Sequence, residues 1–268
     1  MKLELPCSEC LYPGGKPNKQ KPPMTEGWGL IPNVPLGNDC IYTVEGPCGH
    51  TSMVKIHNFK FEMLFESGIR AMHDGYYREA ITSFYVALER FYEFSLGVLA
   101  MPKLWDEKEE ELDEKSLRDF AKGLDILKSS EKRVGAFHGM YYAVNGVFTK
   151  AFPESQISVR NKAIHQGEIK THAETLAFGT GVHDYIKVLL REYKENFPLG
   201  IHRMKYVEEG LAWIKLGGQL KGKMNSLPST LIYTFINSND GRYFESSETI
   251  EHYMQNPTMG RAVRQETI

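Results

Sequence analysis

The sequence predicts a mainly α fold, preceded by a small β-hairpin segment that carries a Cys/His cluster and followed by a mixed α/β extension. Three observations predict it. All four cysteines fall within the first 48 residues, among prolines and glycines. From His57 to Phe197 the apolar residues recur at helical spacing. Beyond Pro198 the pattern changes again, so the expected division is residues 1–56, 57–198 and 199–268. Hydrophobic residues at 41% and charged residues at 25% suit a folded chain rather than a disordered one.

The stretch Pro13-Gly14-Gly15-Lys16-Pro17 to Pro22-Pro23 cannot sustain a helix, because proline removes amides and glycine loosens the backbone. It reads as a loop. Ile41 to Glu45 and Met53 to Ile56 are β-prone, and Gly46-Pro47-Cys48-Gly49-His50 between them reads as the turn of a hairpin.

The first helix places Phe61, Leu64, Phe65, Gly68 and Met72 on one face, and Asp74-Gly75 breaks it. The second buries Tyr77, Ala80, Ile81, Phe84, Leu88, Phe91 and Ser95 and is expected to run to about Leu99, ahead of Pro102. The acidic stretch Asp106 to Glu114 is a solvated loop or helix start. Leu117, Phe120, Ala121, Leu124 and Leu127 mark a third helix. A fourth turns Val134, Phe137, Tyr141, Val144 and Phe148 inward and is closed by Pro153. Ser155 to Gly167 is a short helical piece.

Thr171 and Glu174 form a capping box for a long helix with Val182, Ile186, Leu189, Tyr193 and Phe197 inward, ended by Pro198 and Gly200. The extension is expected to hold a helix near Lys205 to Ile214, a strand Thr230 to Asn237 and an Asn239-Asp240-Gly241 turn. No apolar run reaches the ~20 residues that span a bilayer. Met1 to Cys10 carries Glu4 and two cysteines where a signal sequence would be basic and then apolar, so the expected location is the cytoplasm.

In a reducing compartment, cysteines clustered in this way point to metal binding rather than disulfides. Cys7-Ser8-Glu9-Cys10 forms a knuckle, and Cys48 and His50 add two ligands from the hairpin turn. Four such groups fill a closed tetrahedral zinc site, which is structural because no position stays open for chemistry. A metal cross-link would also order a segment poor in apolar residues. Cys40 is the remaining thiol; the spacing leaves open whether it replaces Cys7, Cys10 or His50, and the preferred set is Cys7, Cys10, Cys48 and His50.

Arg160-Asn161-Lys162-Ala163-Ile164-His165 follows four predicted helices and precedes the long one, with Asn161 one helical turn before His165. A second Arg-x4-His pair, Arg133 and His138, lacks the asparagine and opens a helix that must pack. The Arg160 motif, together with Asp74-Gly75-Tyr76-Tyr77-Arg78-Glu79-Ala80 through Ala87-Leu88-Glu89-Arg90-Phe91, resembles the HEPN domain family over roughly Phe59 to Phe197. The resemblance implies a HEPN-like helical bundle and a homodimer in which two motifs face each other across a cleft. It also implies metal-independent RNA cleavage through a cyclic phosphate, in a toxin or phage-defence setting.

The residue chemistry suits that activity, since a guanidinium holds a phosphodiester bidentately and a histidine moves a proton near neutral pH. Arg160, Asn161 and His165 are the expected catalytic residues, with Glu89 placed to orient Arg160. RNA is the expected partner, alongside a second copy of the chain and a regulatory protein. At a net charge of −2, contact with RNA must come from a local basic patch, for which Lys16, Lys19 and Lys21 with Trp28 are candidates. The alternative is a non-catalytic dimeric module that binds nucleic acid or protein and carries a structural zinc.

Overall fold

The computed structural model describes residues 2–7, 10, 30–38, 40–46, 48–56, 58–104, 113–215 and 250. The chain changes from one compact unit to another between Asn58 and Phe59. The loop with Lys16, Lys19, Lys21 and Trp28, the acidic run before Asp113, and the strand and turn expected at 230–241 all lie outside the described residues.

The amino-terminal unit holds two separate antiparallel pairs, β1 (Lys2–Pro6) with β2 (Leu30–Pro35), and β3 (Ile41–Glu45) with β4 (Thr51–Lys55). The second pair is the expected hairpin. The first pair is a finding that sequence reading did not anticipate. Leu3 faces Val34 and Leu5 faces Ile31, with a one-residue slip between them. That irregularity sets Ile31 and Val34, three positions apart, opposite the two leucines, and all four are buried. It also erases the two-residue alternation by which a strand is recognised, and Pro32 and Pro35 further disguise it.

The helical unit opens with α1 (Lys60–His73), α2 (Tyr77–Leu104) and α3 (Glu114–Ile126). It continues with α4 (Ser130–Asn145), α5 (Glu154–His165), α6 (His172–Asn196) and α7 (Pro198–Lys215), whose residues up to Gly210 belong to this unit. Among the described residues the chain is therefore mainly helical. α2 is the axis, packing against α1, α4, α5 and α6. Its fully buried Phe84 is wedged between Gly68 of α1 and Gly179 of α6, where an added Cβ would stand 2.6 and 2.8 Å from the ring. Small residues here let three helices close on one phenyl ring. Phe61, Phe91 and Phe94 extend the aromatic core, and Phe91 stacks with Tyr193 at 6.3 Å.

Several helix ends depart from expectation. α2 continues through Pro102 to Leu104. Proline has no amide to offer the Val98 carbonyl, and Gly200 of α7 packs so close there that a Cβ would lie 2.7 Å from that oxygen. α4 stops at Asn145, with Gly146 left-handed at φ 72°. Phe148 thus leaves the inward stripe, is 68% exposed and stacks on Tyr142.

In α3 only Leu117 is fully buried, and the other expected core residues are half-buried. The Thr171–Glu174 box caps α6 as expected, with Glu174 N–H donating to Thr171 Oγ1 at 3.3 Å and Thr171 N–H donating to Glu174 at 2.9 Å. Pro198 and Gly200 do more than end α6: Pro198 is the first residue of α7, where its fixed φ suits a helix start. α7 therefore begins well before Lys205.

No helix among the described residues is long and apolar enough to cross a membrane.

Candidate functional site

The amino-terminal unit gathers four donors. β1 delivers Cys7 at its carboxyl end, Cys10 follows, and the turn between β3 and β4 brings Cys48 and His50. The turn is closed by Gly46 N–H donating to the His50 carbonyl and Gly49 N–H donating to the Gly46 carbonyl, both at 2.9 Å, with Gly49 at φ 75°. Cys7 Sγ lies 3.6 Å from Cys48 Sγ and 3.8 Å from His50 Nδ1, and Cys10 Sγ lies 3.6 Å from that same nitrogen.

All four ligand atoms fall within 4.8 Å of one another, so Cys7, Cys10, Cys48 and His50 are positioned to bind a metal ion. Cys40, left open by spacing, is outside the group; its thiol turns toward the Gly37 carbonyl at 3.9 Å and its φ is 53°.

Burial opposes ionisation of Cys7, but donation from the Ser52 hydroxyl, the Cys10 backbone amide and the neighbouring thiols outweighs it and brings the thiol down to about 6. Cys10 is pushed up to about 12 by burial and by sulfur neighbours Cys48 and Cys7. A cation removes that conflict, since one positive ion stabilises several thiolates together.

Sequence reading missed two supporting residues. Ser52, 1% exposed, donates to Cys7 Sγ at 3.4 Å; its signal was a polar residue sharing the inward stripe of β4 with Val54. Gly46 is the other, because a Cβ there would stand 3.0 Å from Cys48 Sγ and 3.3 Å from Ile31.

In the helical unit the second group sits on α5. Asn161 and His165 stand one turn apart, and the Arg160 side chain crosses to both: Nη1 is 2.8 Å from Asn161 Oδ1 and 3.1 Å from His165 Nε2. A guanidinium only donates, so in this contact His165 Nε2 is the acceptor. Asn161 and His165 are exposed and Arg160 is partly so. Among the described residues no carboxylate lies within ion-pair distance of Arg160. Its guanidinium instead lies over the ring of Tyr85 on α2, 4.3 Å from the centroid. α5 is held at this end by Arg78 of α2, whose Nε donates to the Ala163 carbonyl at 3.2 Å, and it is turned off by Gly167 at φ 70°.

Glu89, expected beside Arg160, pairs elsewhere: its carboxylate is 3.7 Å from Arg133, which also meets Glu93 at 3.3 Å. The reason is the pitch of α2. Tyr85 is one turn earlier on the same stripe and takes the place under Arg160, while Glu89 and Glu93 face α4. Arg133, 4% exposed, is thereby a structural residue, and its companion His138 is held below the usual histidine range by burial.

Comparison of the chain with family models, with curated proteins and with solved structures finds no match.

Proposed function

We propose that the chain is a metal-independent RNA endonuclease of the HEPN type, acting through Arg160 and His165, with a structural zinc in its amino-terminal unit. The observation that carries the reading is the state of Arg160: a guanidinium with no carboxylate within ion-pair distance among the described residues, lying over a tyrosine ring and touching an exposed histidine and asparagine. Arg70 and Arg118, by contrast, are arginines paired with a carboxylate of their own helix, Glu66 and Glu114. One left open to solvent beside a proton-accepting imidazole suits a phosphodiester.

In the proposed reaction His165 Nε2 exchanges its contact with Arg160 for the ribose 2′-hydroxyl and takes its proton, and the 2′-oxygen bonds to phosphorus as the bond to the 5′-oxygen breaks. Arg160 stabilises the negative charge on the phosphoryl oxygens. The products are a 2′,3′-cyclic phosphate and a 5′-hydroxyl, whose proton is returned by an imidazolium. A homodimer with two Arg160–His165 groups at its cleft would supply base and acid separately.

Zinc is the proposed occupant of the Cys/His cluster. Tetrahedral bonds of the usual Zn–S and Zn–N lengths place sulfurs about 3.8 Å apart and a sulfur and nitrogen about 3.6 Å apart. The observed separations of 3.6 and 3.8 Å sit close to those edges.

The test is cleavage of structured RNA in EDTA. Arg160→Ala and His165→Ala are each expected to lower the rate ~100-fold or more with the fold intact. His138→Ala is expected to change stability more than rate. Cleavage that survives both of the first two substitutions would sink the assignment.

A further inference from the structure

The Arg160 group has a support that none of its own residues supplies. Tyr85 is 8% exposed, fixed on the central helix α2, and its ring is the surface on which the Arg160 guanidinium lies at 4.3 Å. Its hydroxyl meets Ser130 Oγ at 3.3 Å, at the start of α4. Tyr85 therefore ties α2, α4 and α5 together at one point. Arg160 Nε is buried and has no hydrogen-bond partner among the described residues, so that edge of the guanidinium is closed to solvent.

An arginine has several rotatable bonds, and the contact between Nη1 and His165 Nε2 would be one of many arrangements if nothing restricted them. An aromatic face restricts them without neutralising the charge, because the ring attracts the cation through its quadrupole and brings no anion. An acidic partner would also fix the side chain, but it would occupy the same N–H groups and cancel the charge that a phosphate needs. Glu131, at the start of α4, lies within electrostatic range of Arg160, yet its carboxylate is engaged first with its own helix end and with Ser129.

We propose that Tyr85 is the positioning residue of this site: its ring holds the Arg160 guanidinium where Nη1 meets His165 and Nη2 is left for a phosphate. This rests on the nuclease reading for its consequence in catalysis, but not for its structural content.

The experiment therefore has two readouts on the full chain. The first is the order of the Arg160 Nε–Hε bond by nitrogen-15 relaxation, with the His165 Nε2 signal followed in parallel. The second is the rate of RNA cleavage, with kcat and KM separated. Tyr85→Phe keeps the ring and loses only the Ser130 contact, so both readouts are expected to stay near the parent. Tyr85→Leu and Tyr85→Met remove the aromatic face but fill the space. Whichever of them retains the parent far-ultraviolet spectrum is expected to show a loosened Arg160, a shifted His165 Nε2 signal and a kcat lowered ~10- to 100-fold, with KM changed less.

If Arg160 stays ordered and kcat is unchanged in a folded Leu or Met variant while Arg160→Ala abolishes cleavage, the positioning role is wrong and the nuclease reading stands. If the parent protein does not cleave RNA but Arg160 loosens as described, the positioning role stands and the nuclease reading falls. Loss of order in Tyr85→Phe as well would overturn the role assigned to the ring.

Discussion

The two candidate sites are assembled in opposite ways. In the amino-terminal unit the sulfur of Cys7 and the imidazole of His50 are 43 positions apart in sequence and 3.8 Å apart in space. In the helical unit Arg160, Asn161 and His165 lie within six consecutive residues of α5. A site spread over distant segments depends on strand pairing for its existence and can return stability to it, since an ion binds the folded arrangement and not the separated ligands. A site on one helix turn exists as soon as that helix forms, and it depends on its neighbours only for orientation. The difference predicts where each unit breaks.

The largest effect is expected from removing the metal. Apparent zinc affinities in small structural sites correspond to about 10 kcal/mol or more, comparable to the whole stability of a domain. Strong chelation, or Cys48→Ser, should abolish stoichiometric metal by elemental analysis and raise amide exchange in β1 to β4. Cys40→Ser should leave the metal in place. Metal retained in Cys48→Ser and lost in Cys40→Ser would reassign the ligands.

The converse perturbation is Phe84→Ala, which empties the space between Gly68 and Gly179. It should cost about 3–5 kcal/mol, read as a lowered denaturation midpoint of the helical unit, with metal content unchanged. A parallel loss of metal would show that the two units do not respond separately.

Gly46→Ala sharpens the comparison within the amino-terminal unit. The new methyl would meet Cys48 Sγ at 3.0 Å and Ile31 at 3.3 Å, so the turn must shift to admit it. Metal affinity is expected to fall ~10- to 100-fold, the range for disturbing groups that orient ligands, by competition with a chromophoric chelator.

The smallest effect belongs to the cap of α6. Thr171→Ala should cost about 1 kcal/mol by denaturant titration and leave metal and RNA cleavage untouched. Glu174, in the same box, is held below the usual carboxylate range chiefly by the Thr171 backbone amide. Its contribution is full above the unfolded-state value and is lost as pH falls through the folded one, so Glu174→Gln should flatten that part of the acid limb.

The helices were legible because each carries its own signal. Apolar residues at 3.6-residue spacing marked their faces, Asp74-Gly75 and Gly167 marked ends, and the Thr171–Glu174 box marked a start. The β3–β4 hairpin was legible from its turn for the same reason. Phe148 misled because helical periodicity continues in the sequence after the backbone has stopped at Gly146.

The β1–β2 pair was hidden by its bulge and prolines. The four candidate metal donors were named from the sequence with Cys40 as the spare thiol, although spacing alone left open whether Cys40 replaces Cys7, Cys10 or His50. Only the tertiary structure brings Cys48 and His50 to Cys7 and turns Cys40 toward Gly37.

The Arg160 group shows the same division. Its three residues were written in one stretch of sequence, because local helix geometry brings Asn161 and His165 onto one side. What supports Arg160 was not, because Tyr85 and Glu89 stand one helical turn apart on the same stripe, and sequence does not say which of them meets the neighbouring helix. Helix packing places the tyrosine beneath the guanidinium and sends the glutamate to Arg133. Elements, ends and the chemistry of candidate residues follow from local sequence, whose interactions span a few positions; partners follow from how surfaces pack, which no single segment encodes.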